Sequence, residues 1–334
     1  MNLDNRQILL ASRPKEMIQL QNFEITNTVI TSIQKEQVLV KSLYLSIDPY
    51  MRGRMNNEKS YIAPFNIGEP LKGRVIGEVV KSNLQTFKVG DLVTGMLDWA
   101  DYTLANEEEL KKLEDDIQPI TTHLHILGMP GLTAYFGLTK IGKPRKNETF
   151  VVSGAGGAVG MIVGQLAKLY GCKVVGITGS EYKKRYLKEV LHFDHVINYK
   201  IDNLKKELKK VSPDGVDIYF DNVGGEISDV VCLQMNFHGR VVLCGQISQY
   251  NNGTIEFGPR LFPYFLTRSI KLGAFILRDY NSEFVTAKRE LLEWFNEGKL
   301  LHKEHLIEGL ENAPNALIGL FQGDNIGKML VSVN

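Results

Sequence analysis

Through the first third of the chain, apolar and polar positions alternate in short runs. Residues 37–47 (QVLVKSLYLSI) alternate in part and are rich in Val, Leu and Tyr. Residues 73–80 (GRVIGEVV), 91–95 (DLVTG) and 99–104 (WADYTL) are short and separated by turn-forming residues. Many short strands with frequent turns predict a small barrel or sandwich. From residue 125 the period changes. Residues 132–140 have helical spacing, 149–152 begin a solid apolar strand, and 161–171 (MIVGQLAKLYG) form an amphipathic helix. Strand 173–178 (KVVGIT), helix 183–190, strand 195–199, helix 204–211, strand 216–220 (VDIYF) and strand 239–245 (GRVVLCG) follow. Residues 270–277 (IKLGAFIL) are a candidate final strand, 284–297 a helix, and 328–333 (KMLVSV) an isolated strand expected to return to the first domain. Strand–helix alternation predicts a parallel, doubly wound sheet. The fold class is therefore α/β, with a β-rich domain preceding a Rossmann-type sheet.

Between the strand at 149 and the helix at 161 the chain reads SGAGGAVG (153–160). Amides at a helix start point outward unpaired, and the helix dipole adds partial positive charge, so a diphosphate is held there. Gly154, Gly157 and Gly160 permit a tight turn and close approach of backbone to ligand. Glycines also serve turns that bind nothing. Here they sit inside one strand–helix–strand unit of about 30 residues, the context a dinucleotide requires. The second strand of that unit ends in Thr178-Gly179-Ser180, with no acid at the strand end to meet a ribose 2′-hydroxyl. Glu181 follows, then Lys183, Lys184 and Arg185. Hydroxyls and cations suit a 2′-phosphate, so NADP(H) is expected. The bland alternative is that these cations only decorate a solvated helix face.

Composition narrows the classes without choosing among them. The chain has 334 residues, 43% hydrophobic and 23% charged, with net charge +1. That balance makes no electrostatic case for nucleic acid or membrane binding. No apolar run approaches the ~20 residues that span a bilayer, and Asp4 and Arg6 do not suit a signal peptide, so a cytoplasmic location is expected. Cys172, Cys232 and Cys244 are far apart and read as core residues. The pairs His123/His125 and His302/His305 lack accompanying Cys or carboxylate motifs and read as surface or hydrogen-bonded histidines rather than metal ligands.

Seven strings, LSIDPYMRGRM (45–55), GMPGLTAYFGL (128–138), SGAGGAVG (153–160), NYK (198–200), SPDGVDIYFDNVGGE (212–226), GRVVLCGQIS (239–248) and GDNIGK (323–328), span nearly the whole chain. In that order they resemble the zinc-independent medium-chain dehydrogenase/reductases, within them the prostaglandin reductases, plant alkenal double-bond reductases and bacterial NADP-dependent relatives. The resemblance implies a GroES-like β-rich catalytic domain (1–122 and 305–334) interrupted by a Rossmann NADP-binding domain (123–304). It also implies a homodimer. Ala155, Gly156, Gly157, Ala158, Val159 and Gly160 would hold the diphosphate. Thr178, Gly179, Ser180, Lys183 and Tyr199 would meet the adenosine 2′-phosphate end. Asn222 would face the nicotinamide half. Cys244, Gly245, Gln246, Ile247, Ser248 and Tyr250 would line the nicotinamide and substrate cleft, and Phe275, Ile276 and Leu277 would contact the nicotinamide. Asn325 would reach the cofactor from the returning segment. Tyr250 and Tyr50 would be the catalytic hydroxyls. Asp48 and Arg52 would hold their loop together rather than do chemistry.

Zinc-dependent relatives carry Gly-His-Glu where this chain reads LKGRVIGEV (71–79), without that His or Glu. No metal is therefore expected, and alcohol oxidation loses its Lewis acid. Gln246 and Gln249 stand at variable positions of the family pattern and leave substrate identity open. The expected reaction is NADPH-dependent reduction of the activated C=C bond of a small enone or enal. A quinone reductase of the same branch and a non-catalytic NADP(H)-binding sensor are the alternatives.

Overall fold

The computed structural model describes residues 2–113, 117–254 and 256–333. The chain folds as two units: Met1–Leu124, Glu304–Asp324 and Met329–Asn334 form one, and His125–Lys303 with Asn325–Lys328 the other.

The first unit is built from strands β1 (Leu3–Leu10), β2 (Phe23–Ile30), β3 (Gln37–Ser46), β4 (Lys72–Ser82), β5 (Leu92–Asp98), β6 (Tyr102–Asn106) and β7 (Leu110–Lys112), with one short helix, α1 (Tyr50–Arg54). β1 and β2 pair antiparallel, β3, β4, β5 and β7 follow one another in a second antiparallel sheet, and β6 adds to β3. Alternation sends Val38, Val40, Val75, Val79, Val93 and Leu97 into one core. The expected strand at 99–104 begins instead at Tyr102. Trp99 is fully buried and crosses between strands, its N–H on the Leu71 carbonyl (2.7 Å) and its carbonyl accepting from Ile8 N–H (2.8 Å).

The second unit carries β8 (Thr149–Ser153), β9 (Lys173–Thr178), β10 (His195–Asn198), β11 (Val216–Asp221), β12 (Met235–Leu243) and β13 (Lys271–Ala274). All run parallel in the order β10-β9-β8-β11-β12-β13. The order reverses between β8 and β11, where open parallel sheets bind ligands beyond the strands' carboxyl ends. The helices are α2 (Met129–Phe136), α3 (Ala158–Leu169), α4 (Glu181–Glu189), α5 (Leu204–Val211), α6 (Gly225–Cys232), α7 (Phe262–Thr267) and α8 (Phe284–Asn296). Every residue of β8 is buried, which is why it reads as a solid apolar run.

Three expectations shift. α2 starts at Met129, not 132, because Pro130 suits a first helical turn, and it continues through a π-turn at Gly137–Gly142. The run at 270–277 pairs only over Lys271–Ala274. β12 begins at Met235, and its ladder to β11 is interrupted between Val216 and Ile218.

The chain then returns through β14 (Glu304–Glu308), α9 (Ala313–Gln322) and β15 (Lys328–Ser332). β15 pairs antiparallel with β3, and Ala313, Ala316, Leu317 and Leu320 of α9 join the first unit's core. No helix among the described residues is long and apolar enough to cross a membrane.

Candidate active site

The carboxyl ends of β8, β9, β10, β11, β12 and β13 deliver most of the expected binding residues to one edge of a single sheet. After β8 the chain turns at Gly154, whose φ of +60° lies in the left-handed region that favours glycine. Gly157 N–H closes the turn on the Gly154 carbonyl (3.0 Å). A Cβ at Gly160 would lie 2.3 Å from that carbonyl oxygen, so only glycine lets α3 start so close to the turn. The first N–H groups of α3, on Ala158, Val159 and Gly160, precede the helical ladder and face outward. Two supports hold this start. The bend at 325–328 belongs to the same unit, and Gly327 N–H donates to the Gly156 carbonyl (2.8 Å). Asn325 is buried and spends its side-chain amide on the Gly327 carbonyl (2.7 Å). On the other side, fully buried His125 places Nε2 3.1 Å from the Ala158 carbonyl. Burial pushes the His125 pKa down to about 3, so the ring is neutral and Nε2–H is the donor.

At the end of β9, Thr178 is buried and its carbonyl accepts from Tyr199 N–H (3.0 Å). The Tyr199 ring lies against Gly179, and the aliphatic stem of Lys183 lies against Gly156. Ser180 caps α4, its Oγ accepting from Lys183 N–H at 3.4 Å. Gly156, Gly179, Ser180, Lys183 and Tyr199 thus come together beside the turn. The neighbouring acid is engaged: Glu181 accepts from Asn198 Nδ2 (2.8 Å) and faces Lys184 (3.8 Å). Lys184 is itself bound to Asp202 (3.2 Å). Of the three cations read from the sequence, Lys183 is the one carried to the glycine turn, while Arg185 is exposed.

The remaining edge is organised by Asp221, the last residue of β11 and almost fully buried. Its Oδ1 accepts from Ser153 Oγ (3.0 Å), Tyr219 OH (2.8 Å), Val223 N–H (3.0 Å) and Gly224 N–H (2.9 Å). Its Oδ2 accepts from Gln246 Nε2 (2.9 Å) and from Ser228 Oγ. The loop after β12 is stitched to the same place: Cys244 and Gly245 N–H donate to the Asp221 carbonyl (2.9 and 3.0 Å), and Ser248 N–H to the Val223 carbonyl (3.0 Å). Ile247 N–H reaches the Asn222 carbonyl at 3.3 Å. Asn222 leans on β8, giving Nδ2–H to the Ser153 carbonyl (2.8 Å). Tyr250 OH accepts from Gln246 N–H (3.2 Å), and burial raises its pKa, so the phenol keeps its proton. Phe275 and Ile276 are half-buried after β13, and Leu277 is buried.

Tyr50 stands apart in the first unit, at the start of α1. Burial, and next the charge of Asp48, raise its pKa, so it too stays protonated. Asp48 accepts from Ser46 Oγ (2.5 Å), and buried Arg52 bonds Asn56 Oδ1 (2.6 Å) and the Glu16 carbonyl (2.9 Å). Sequence reasoning overlooked Asp221, Ser153, Tyr219, Ser228 and His125 as parts of the site. A surface depression of about 490 Å³ on the second unit is lined by Lys173, Lys184, Lys188 and Lys210, with His195. Lys173, Lys184 and Lys210 are spent on the Val211 carbonyl, Asp202 and Glu207.

Comparison with known proteins identifies the family. Residues 6–113 match a family model described as the N-terminal domain of oxidoreductase, and residues 158–293 one described as zinc-binding dehydrogenase. Among the described residues no three His, Cys, Asp or Glu side chains are grouped to hold a metal ion. An NADPH-dependent curcumin reductase of Escherichia coli is 41% identical over 98% of this chain and 97% of its own. A 2-alkenal reductase (NADP(+)-dependent) of Nicotiana tabacum is 41% identical over 99% of this chain and 98% of its own. The crystal structure of CurA in complex with NADPH from Vibrio vulnificus superposes with a TM-score of 0.94 at 42% identity, covering 98% of this chain and 99% of that one. Similarity this extensive, over both units and the whole length, places the chain in the medium-chain dehydrogenase/reductase family.

Proposed function

We propose that this protein is an NADPH-dependent reductase of the carbon–carbon double bond of α,β-unsaturated ketones and aldehydes, working without a metal. The observation that carries the reading is the convergence, at one sheet edge, of a diphosphate turn, a Ser-Lys-Tyr set and a loop presenting a protonated tyrosine. The names of the curcumin and alkenal reductases point to the same substrate class. Bound at that edge, NADPH would supply the hydride for the β-carbon of the enone.

The chain's own residues bind, orient and answer charge. Ala155, Gly156, Gly157 and the outward amides of Ala158, Val159 and Gly160 hold the diphosphate. Lys183, Ser180 and Tyr199, with Thr178 and Gly179 behind them, hold the 2′-phosphate, and Glu181 is kept away by Asn198 and Lys184. Asn222, Cys244, Gly245, Gln246, Ile247 and Ser248 set the nicotinamide half, with Phe275, Ile276 and Leu277. Asn325 supports the turn through the bend on Gly156. As the β-carbon gains a hydrogen, negative charge gathers on the carbonyl oxygen. Tyr250 donates its hydroxyl proton in a hydrogen bond to that oxygen, a contribution of about 3 kcal/mol for one well-placed donor. Solvent protonates the α-carbon. Tyr50, a protonated hydroxyl of the first unit, is the second catalytic candidate.

β13 is an edge strand with Lys271, Leu272 and Ala274 exposed, and α7 exposes Phe262 and Leu266. An unpaired edge beside apolar surface suits pairing with a second copy, so we place the enzyme as a homodimer. A light-scattering mass equal to one 37.6 kDa chain would contradict this. A cytoplasmic setting fits its three free thiols.

The test is NADPH consumption with a panel of an alkenal, 3-nonen-2-one and small quinones. Turnover of the enal and enone is expected. Turnover of quinones alone would reassign the enzyme to quinone reduction, and tight NADPH binding with no turnover would make it a binding protein.

A further inference from the structure

We infer that Gln246 is a positioning residue that couples the buried carboxylate of Asp221 to the hydroxyl of Tyr250. The inference rests on the reading above, in which Tyr250 donates to the substrate oxygen. Gln246 touches both ends of the link. Its side-chain Nε2 donates to Asp221 Oδ2 (2.9 Å) and to the Gly245 carbonyl (2.9 Å), and its backbone N–H donates to Tyr250 OH (3.2 Å). Asp221 also fixes the backbone just before it, through Gly245 N–H on the Asp221 carbonyl (3.0 Å). The carboxamide sits in a notch: Gly224 has φ +78°, and a Cβ there would fall 2.2 Å from Gln246 Oε1. Among the described residues, no other residue bonds both the Asp221 carboxylate and the Tyr250 hydroxyl.

The chemistry follows from donor counting. A tyrosine hydroxyl has one proton and two lone pairs. With a backbone N–H satisfying a lone pair, the proton is left for an acceptor outside the protein. A hydrogen bond received by the phenol oxygen polarises the O–H and strengthens the bond it donates. Asp221 cannot drift, because Ser153, Tyr219, Ser228 and two backbone amides hold it. The order held in this buried cluster is therefore passed through one residue, whose carboxamide holds the carboxylate and whose backbone N–H holds the Tyr250 hydroxyl.

The experiment is a double-mutant cycle on enone reduction by the full chain. Asp221→Asn disturbs six donors at once and risks misfolding, so the informative variant is Gln246→Met, which keeps length and loses the bond to Asp221. Tyr250→Phe is expected to lower kcat about a hundredfold. Gln246→Met is expected to lower kcat about tenfold, with a smaller change in KM for NADPH, and to cost nothing further in the Tyr250→Phe background. Additive penalties would overturn the coupling and leave the functional reading standing. A native chain that reduces no enone would overturn both.

Discussion

In the proposed reading, Lys183 carries the cofactor preference. Its stem crosses Gly156, its neighbour Lys184 is committed to Asp202, and Glu181 is turned toward Asn198. A charge-assisted bond to a phosphate is worth roughly 1.5–3 kcal/mol. Lys183→Ala should therefore weaken NADPH binding about tenfold to a hundredfold and NADH binding less than about twofold, measured by fluorescence titration. Equal losses would place the 2′-phosphate elsewhere. His125 predicts a pH dependence of folding. Its pKa is about 3 in the folded chain, held down by burial, and ~6.5 once unfolded. Between those values the unfolded chain binds a proton that the folded chain does not, so this contribution is complete above pH ~6.5 and declines as pH falls, by about 1.4 kcal/mol per unit. From pH 7 to pH 5 the native chain should lose about 2 kcal/mol more than His125→Gln in urea unfolding. Parallel losses would show that His125 is charged or solvated. The Gly154–Gly160 spacing and the cations after Thr178 were legible because they are local in sequence. Asp221 was not: its donors come from positions 153, 219, 223, 224, 228 and 246, and no spacing announces such a cluster.

At the scale of elements, the turn between β8 and α3 is tightly constrained. A methyl at Gly160 would meet the Gly154 carbonyl oxygen at 2.3 Å and Ala155 Cα at 2.8 Å, both backbone atoms that yield only if the turn opens. Gly160→Ala should destabilise the fold by about 2 kcal/mol and weaken NADPH more than tenfold. A variant with native stability and affinity would mean that the turn is looser than drawn. Strand 173–178 and helix 204–211 coincide with their expected limits, since each carries a clean period and a turn at both ends. The β1–β2 hairpin was illegible. Asn5 lies buried in β1 and accepts from Tyr102 N–H (2.8 Å), so a satisfied polar residue occupies a core position and breaks the alternation. α9 was missed because residues 313–322 begin with Ala-Pro and are apolar nearly all round.

At the scale of the molecule, one parallel sheet gathers the phosphate turn, the Lys183 set and the Tyr250 loop, while Tyr50 belongs to the β-rich unit. The sheet order was legible as a class from strand–helix alternation, and its reversal at β8 and β11 explains why binding residues follow successive strand ends. The central claim is hydride delivery to the β-carbon, with the carbonyl oxygen held by a hydroxyl rather than a metal. The most direct measurement uses NADPH deuterated at both C4 positions with a simple alkenal and locates the label by NMR. The expected product is a saturated aldehyde carrying one deuterium at the β-carbon and an α-hydrogen from solvent. Deuterium at the carbonyl carbon of an allylic alcohol would contradict it.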